Sequence, residues 1–103
     1  MNEIEFREYL ENKITKQGNK FSQSKINEFI DDLKEKIPNV IGKKINFLDI
    51  NDTLKLVIFQ SCLNDKNSIL GFFNTKEDNG RPSNAVREYI DFLEEKYTSK
   101  MES

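Results

Sequence analysis

The chain has 103 residues and a formal net charge of −2, a length that suits a single domain with one modest core. The lone cysteine, Cys62, excludes an intrachain disulfide, and the lack of histidine excludes a Cys–His nucleophile and a zinc finger. No run of about 18 apolar residues is present, so the sequence predicts no membrane span. The acidic start, without a signal-peptide pattern, predicts a cytoplasmic protein.

The first predicted helix runs from Asn2 to about Thr15, with Asn2 as N-cap and Glu5 in the position of a capping box. Residues 17–19, Gln-Gly-Asn, end it because glycine and asparagine tolerate the left-handed conformation. Its apolar cluster consists of Phe6, Tyr9, Leu10 and Ile14.

The second predicted helix begins at Ser22 or Ser24 and continues to about Lys36, where Pro38 stops it. Its apolar stripe has clear helical spacing: Ile26, Phe29, Ile30, Leu33 and Ile37. Residues 39–48 fit either a short helical turn or a brief extended piece.

A third helix is predicted from a cap at Asp49 or Asp52 through Leu63. Its centre, Leu56–Phe59, is apolar on nearly all sides, so a strand remains the alternative. One or two helical turns follow in Ser68–Phe73, and residues 74–82 are predicted to form a polar loop.

The last predicted helix follows this loop and ends near Thr98. Its apolar stripe comprises Val86, Tyr89, Ile90, Leu93 and Tyr97. The fold class expected for residues 1–103 is therefore all-α: one small bundle of four to five short helices. The first, second and last are expected to surround the apolar third.

Basic side chains are concentrated early in the chain. Residues 13–27 contain four lysines and no acid, a charge of +4, and two serines there stand at a predicted helix start. Lysines beside free backbone N–H groups suit a phosphate, although a solvated loop is the plainer interpretation. The candidate nucleic-acid-binding residues are Lys13, Lys16, Lys20, Ser22, Ser24, Lys25, Lys43, Lys44, Arg81 and Arg87.

Catalysis has no visible basis in the sequence. The carboxylate pairs Asp31-Asp32, Glu77-Asp78 and Glu94-Glu95 are expected on solvent faces or in a loop, where no burial tunes them for acid–base work. Asp49-x-Asn51-Asp52 lacks the glycine and distal glutamate of a calcium loop. We therefore expect no enzyme, no metal and no cofactor.

Three aromatic residues are candidates for protein interaction: Phe72, Phe73 and Phe92. Aromatic faces can stack on single-stranded nucleic acid, but helical spacing favours core packing for most of them. Phe92 falls beside the main stripe of the last helix and is the one expected to stand apart from the core.

Two sets of residues resemble known modules. Phe6-x-x-Tyr9-Leu10 with Ser24-Lys25-Ile26-x-x-Phe29-Ile30 resembles the SAM-like N-terminal domain of tyrosine recombinases. The later residues, Phe72-Phe73-Asn74 and Ser83-Asn84-Ala85-Val86-x-x-Tyr89, look like a small helical module found beside restriction-type nucleases. The recombinase resemblance implies a DNA clamp without catalytic residues, with Lys20, Ser22, Ser24 and Lys25 in the DNA-facing region.

Two functions remain open from the sequence. The first is a non-catalytic accessory domain that binds double-stranded DNA in a recombinase- or restriction-like system, such as a mobile element. The alternative is an acidic protein-interaction module that docks on a larger partner or on itself. An acidic chain disfavours sequence-blind DNA binding, which needs an extended positive field.

Overall fold

The computed structural model describes residues 2–15, 18–77 and 80–102, with side chains to residue 98. Its regular structure is helical, which confirms the all-α expectation. The helices are α1 (Glu3–Asn12), α2 (Gln23–Asp31), a π-helical turn (Asp32–Lys36), α3 (Ile37–Ile41), a 3₁₀ turn (Phe47–Asp49), α4 (Thr53–Asn64), α5 (Ile69–Lys76) and α6 (Arg81–Glu102).

The strand alternative for Leu56–Phe59 is wrong, because the whole segment lies inside α4. Within the described residues the only β-type pairing is an isolated antiparallel bridge between Ile14 and Lys20. The third predicted helix is thus the element α4, and it begins and ends within two residues of the prediction.

Short polar side chains start three of the helices. The Ser22 hydroxyl accepts a hydrogen bond from the Lys25 amide, Asp52 accepts from the amides of Leu54 and Lys55, and Ser68 accepts from the Gly71 amide. Each cap satisfies backbone donors that have no partner within the first helical turn. Of the predicted alternatives, Ser22 rather than Ser24 and Asp52 rather than Asp49 are the caps.

The predicted cap at Asn2 is wrong. Asn2 precedes α1, but its side chain makes no capping hydrogen bond. The amide instead donates to Asn51 Oδ1 at 2.8 Å and to the Tyr89 hydroxyl at 2.9 Å. Two partners that are distant along the chain therefore replace the local one.

Helical backbone continues through Pro38, so the predicted stop at this proline is also wrong. The π-helical turn precedes it, and the Ile37 amide bonds to the carbonyl of Asp32, five residues back. A proline ring normally clashes with the preceding turn, and a local change of hydrogen-bond register accommodates it. Gly42, with φ of 68°, ends α3 in the left-handed conformation.

The core is organised around α6. Its stripe at Val86, Tyr89, Ile90 and Leu93 is buried as predicted, whereas Tyr97 is 37% exposed. Phe6 of α1 packs edge-on against the Tyr89 ring, with centroids 5.2 Å apart. The expectation that the third helix occupies the centre is wrong. Helix α4 packs with one of its sides against α6 and turns its opposite side outward.

None of the helices in the described part of the chain is long and apolar enough to cross a membrane.

Candidate interaction surface

Helix α4 carries more apolar side chains than the fold buries. Leu56 and Leu63 lie in the core, while Leu54, Val57 and Ile58 are 70%, 44% and 60% exposed. The three exposed residues follow i, i+3, i+4 spacing, which places them on one side of the helix. A helix that is apolar all round is normally covered all round, so α4 lacks a cover on this side.

Helix α5 adds two outward apolar residues beside α4. Ile69 is 79% exposed and Phe72 is 65% exposed, whereas Phe73 is half-buried against the core. The two helices meet closely at Gly71, which lies against the backbone of Asp65. We call Leu54, Val57, Ile58, Ile69 and Phe72 the α4–α5 surface.

Phe92, a predicted interaction residue, is not available to a partner. It is only 6% exposed and packs among aromatic rings, with centroids 5.5 Å from Phe6 and 5.6 Å from Tyr9. Its position beside the main stripe turns it toward α1 rather than toward solvent. The prediction for Phe92 is therefore wrong, while Phe72 is exposed as predicted.

The predicted basic residues do not act as one group. Lys13 turns onto α6, where its Nζ lies 2.6 Å and 2.9 Å from the two carboxylate oxygens of Glu88. Burial lowers the pKa of Lys13, but the hydrogen bond and charge of Glu88 outweigh it and raise that pKa overall. Lys25 lies 3.7 Å from Glu28, and Lys16 falls outside the described residues.

The remaining candidates differ in their availability. Ser22 is occupied as the cap of α2, and Ser24 is exposed on the same helix. The other exposed basic candidates are Lys20, Lys43, Lys44 and Arg87.

Arg81 is buried, at 6% exposure, and already has its partners. Its guanidinium donates to both carboxylate oxygens of Asp32 at 2.9 Å and to Glu77 at 3.3 Å. The hydrogen bond to Asp32 raises the pKa of Arg81 above its ordinary value. Such a bidentate pair fixes the start of α6 on the π-helical turn, which leaves no free guanidinium for a phosphate.

Asp32 is the carboxylate whose position differs from the sequence prediction. It is fully buried, although the Asp31-Asp32 pair is predicted on a solvent face. Burial raises the pKa of Asp32 above its ordinary value, although the hydrogen bonds and the charge of Arg81 act to lower it. The partner lies 49 positions along the chain, so local spacing does not reveal it. Asp31, Glu94 and Glu95 are exposed as predicted, and Asp78 lies outside the described residues.

A groove of about 560 Å³ runs between α1 and α6 over the rings of Tyr9 and Phe92. Lys13 lies over the Tyr9 ring at 5.6 Å, and Lys96 lies over the Phe92 ring at 5.9 Å. Lys96 also pairs with Glu5 at 3.0 Å. The aromatic floor is therefore covered by the protein's own cations.

The sequence analysis placed the whole third helix at the centre of the bundle, whereas its residues Leu54, Val57 and Ile58 are exposed. The signal that could have found them is the same one that raised the strand alternative, a run that is apolar on nearly all sides. A small bundle offers one buried side to each helix, so such a run exceeds what the bundle can cover.

The chain matches no protein-family model, no curated protein and no solved structure.

Proposed function

We propose that this protein is a non-catalytic interaction module that docks onto another protein through the α4–α5 surface. The observation that carries the proposal is the double-sided apolar character of α4, of which the fold covers one side. Grouped exposed apolar residues of this kind mark protein interfaces, whereas isolated ones are ordinary. Ile4, 75% exposed on α1, serves as an example of an isolated one.

The DNA-binding alternative has weaker support. Of its predicted contacts, Arg81 and Lys13 are held in ion pairs, and Lys25 lies beside an acid. A DNA-binding face needs cations that remain available to several phosphates. The resemblance to recombinase clamps stays a prediction, and a gel shift of duplex DNA at about 50 mM salt, lost on Lys20→Glu with Lys25→Glu, would favour it.

The test of the proposal is a crosslinking pull-down from the native host with three matched baits. The first is the native chain, the second carries Leu54→Ser and Ile58→Ser, and the third carries Ile4→Ser, which removes an equally exposed apolar residue elsewhere. We expect a partner that the native and Ile4→Ser baits recover and the α4 double variant loses. Equal recovery by all three baits, or no partner for any of them, would refute the proposal.

A further inference from the structure

The α4–α5 surface is unusual in its charge as well as in its exposure. Residues 53–64 and 69–76, the two helices, contain lysine but neither aspartate nor glutamate. From Thr53 to Lys76 the chain has three lysines and one aspartate, a net charge of +2, within a protein whose total is −2. This positively charged stretch thus coincides with the uncovered apolar residues.

The lysines of this region are exposed, and one of them lies over a ring of the α4–α5 surface. Lys55, Lys66 and Lys76 are exposed, and Lys76 Nζ lies 5.4 Å from the centroid of the Phe72 ring. The ion pairs found among the described residues involve other lysines, such as Lys34 with Glu3 and Lys96 with Glu5. The cations around the surface therefore remain available to a partner.

The acids nearest to these helices are engaged in their own turns. Asp52 accepts from the amides of Leu54 and Lys55, and Asp65 Oδ1 accepts from the Asn67 amide at 3.0 Å. Glu77, just after α5, lies 3.3 Å from Arg81. These contacts hold the acids at the helix ends, so the bodies of α4 and α5 present apolar and cationic groups.

We propose, building on the interaction function above, that the occupant of the α4–α5 surface is an amphipathic helix of another protein with acidic residues flanking its apolar stripe. The i, i+3, i+4 arrangement of Leu54, Val57 and Ile58 is the pattern into which the apolar side of a second helix packs. Acidic side chains beside that stripe meet Lys55 and Lys76, so charge complementarity sets the choice of partner.

Charge also argues against two other occupants. In a symmetric dimer the same patch faces its own copy. Because α4 and α5 contain lysines and no acid, the two copies would repel each other. An anionic membrane would attract the lysines, but residues outside 53–76 carry a net charge of −4 and would oppose that approach. A separate protein whose helix has acidic residues beside its apolar stripe is repelled in neither way.

The experiment uses a yeast-displayed library of helical peptides of about 20 residues, long enough for an isolated helix to form. Leucine is fixed along one stripe, and the flanking positions vary among Glu, Gln and Lys. We expect the native chain to enrich Glu-flanked peptides that bind roughly tenfold more tightly than their Lys-flanked counterparts. The variant with Lys55→Glu and Lys76→Glu should enrich Lys-flanked peptides instead.

Three further results are decisive. If the native chain selects uncharged or Lys-flanked peptides, or if charge reversal leaves the selection unchanged, the acidic-helix proposal is overturned while the docking surface stands. If the native chain selects no more than the Leu54→Ser, Ile58→Ser variant does, the docking surface itself fails. If the native chain sediments with phosphatidylserine vesicles and this variant does not, the surface binds a membrane, and the acidic-helix proposal is overturned.

Discussion

Tyr89 joins three parts of the chain through one hydroxyl group. It lies fully buried in α6, its oxygen accepts from the Asn2 amide, and its O–H is directed at the carbonyls of Leu48 and Ile50, at 3.0 Å and 2.8 Å. The N-terminus, the 3₁₀ turn and the central helix therefore share a polar centre. Buried groups of this kind are costly to leave without partners.

Replacing Tyr89 with Phe should lower the free energy of unfolding by about 1–3 kcal/mol. The change removes the acceptor of one Asn2 side-chain N–H and the donor to the Ile50 carbonyl, while the Leu48 carbonyl keeps the Asn2 backbone N–H and the ring packing stays. Urea unfolding followed by circular dichroism measures the change. Tyr97→Phe is the matched control, since Tyr97 lies partly exposed on the same helix, and it should change stability by less than about 0.5 kcal/mol.

The same hydroxyl predicts a loss of stability in alkali. Burial raises the pKa of Tyr89 to about 12 from an ordinary value near 10. Because the folded state favours the neutral phenol, its contribution is complete below pH 10 and is lost as the pH rises toward 12, by about 2–3 kcal/mol. Between pH 9 and 12 the free energy of unfolding should therefore fall more steeply for the native chain than for Tyr89→Phe. Parallel curves of the two proteins against pH would contradict this.

Arg81 and Asp32 supply a second prediction at this scale. Arg81→Met removes the partner of a fully buried carboxylate and should cost about 3–5 kcal/mol. Adding Asp32→Leu removes the orphaned charge, so the double variant should be more stable than Arg81→Met alone. Thermal unfolding of the native chain, the two single variants and the double variant tests the coupling. A double variant that loses the sum of both single losses would show that the pair is not coupled.

At the scale of helices, the sequence predicts the features that depend on contacts within a single helical turn. Ser22 and Asp52 cap helices within their own turn, and both are correctly predicted. Asn2 and Asp32 bind partners 87 and 49 positions away, which spacing along one helix does not reveal. The same limit explains Leu54 and Ile58: their apolar character is visible, but the side that the fold covers depends on where α6 lies.

Gly71 shows how closely α4 and α5 are joined. A Cβ atom at this position would lie 1.8 Å from the Asp65 carbonyl oxygen, a backbone atom that cannot rotate away. Gly71→Ala should therefore destabilise the fold by about 2–3 kcal/mol, more than the Gly42→Ala control, although alanine favours helices. Gly42→Ala is the control, with open space around it but a left-handed backbone, and should cost about 1 kcal/mol. Chemical unfolding ranks the two; equal losses would contradict the close approach.

At the scale of the whole molecule, a bundle this small has one core, and α6 occupies its centre. Helix α4 contributes Leu56 and Leu63 to that core and keeps a second apolar side that no other helix covers within the described residues. This surplus is a cost for a protein that remains alone in water, because exposed apolar patches promote association. A partner that covers α4 accounts for the surplus and for the lysines beside it.

The last prediction separates this interface from the core by comparing neighbouring positions of α4. Leu54 and Ile58 are 70% and 60% exposed, whereas Leu56 between them is fully buried. Leu54→Ser with Ile58→Ser should lower the free energy of unfolding by no more than about 1 kcal/mol, mostly through helix propensity. Leu56→Ser should lower it by at least about 3 kcal/mol, since it removes core volume and buries a hydroxyl. Urea unfolding measures both. If the double variant were as damaging as Leu56→Ser, the outward side of α4 would be part of the fold itself, and a partner would have no surface there to bind.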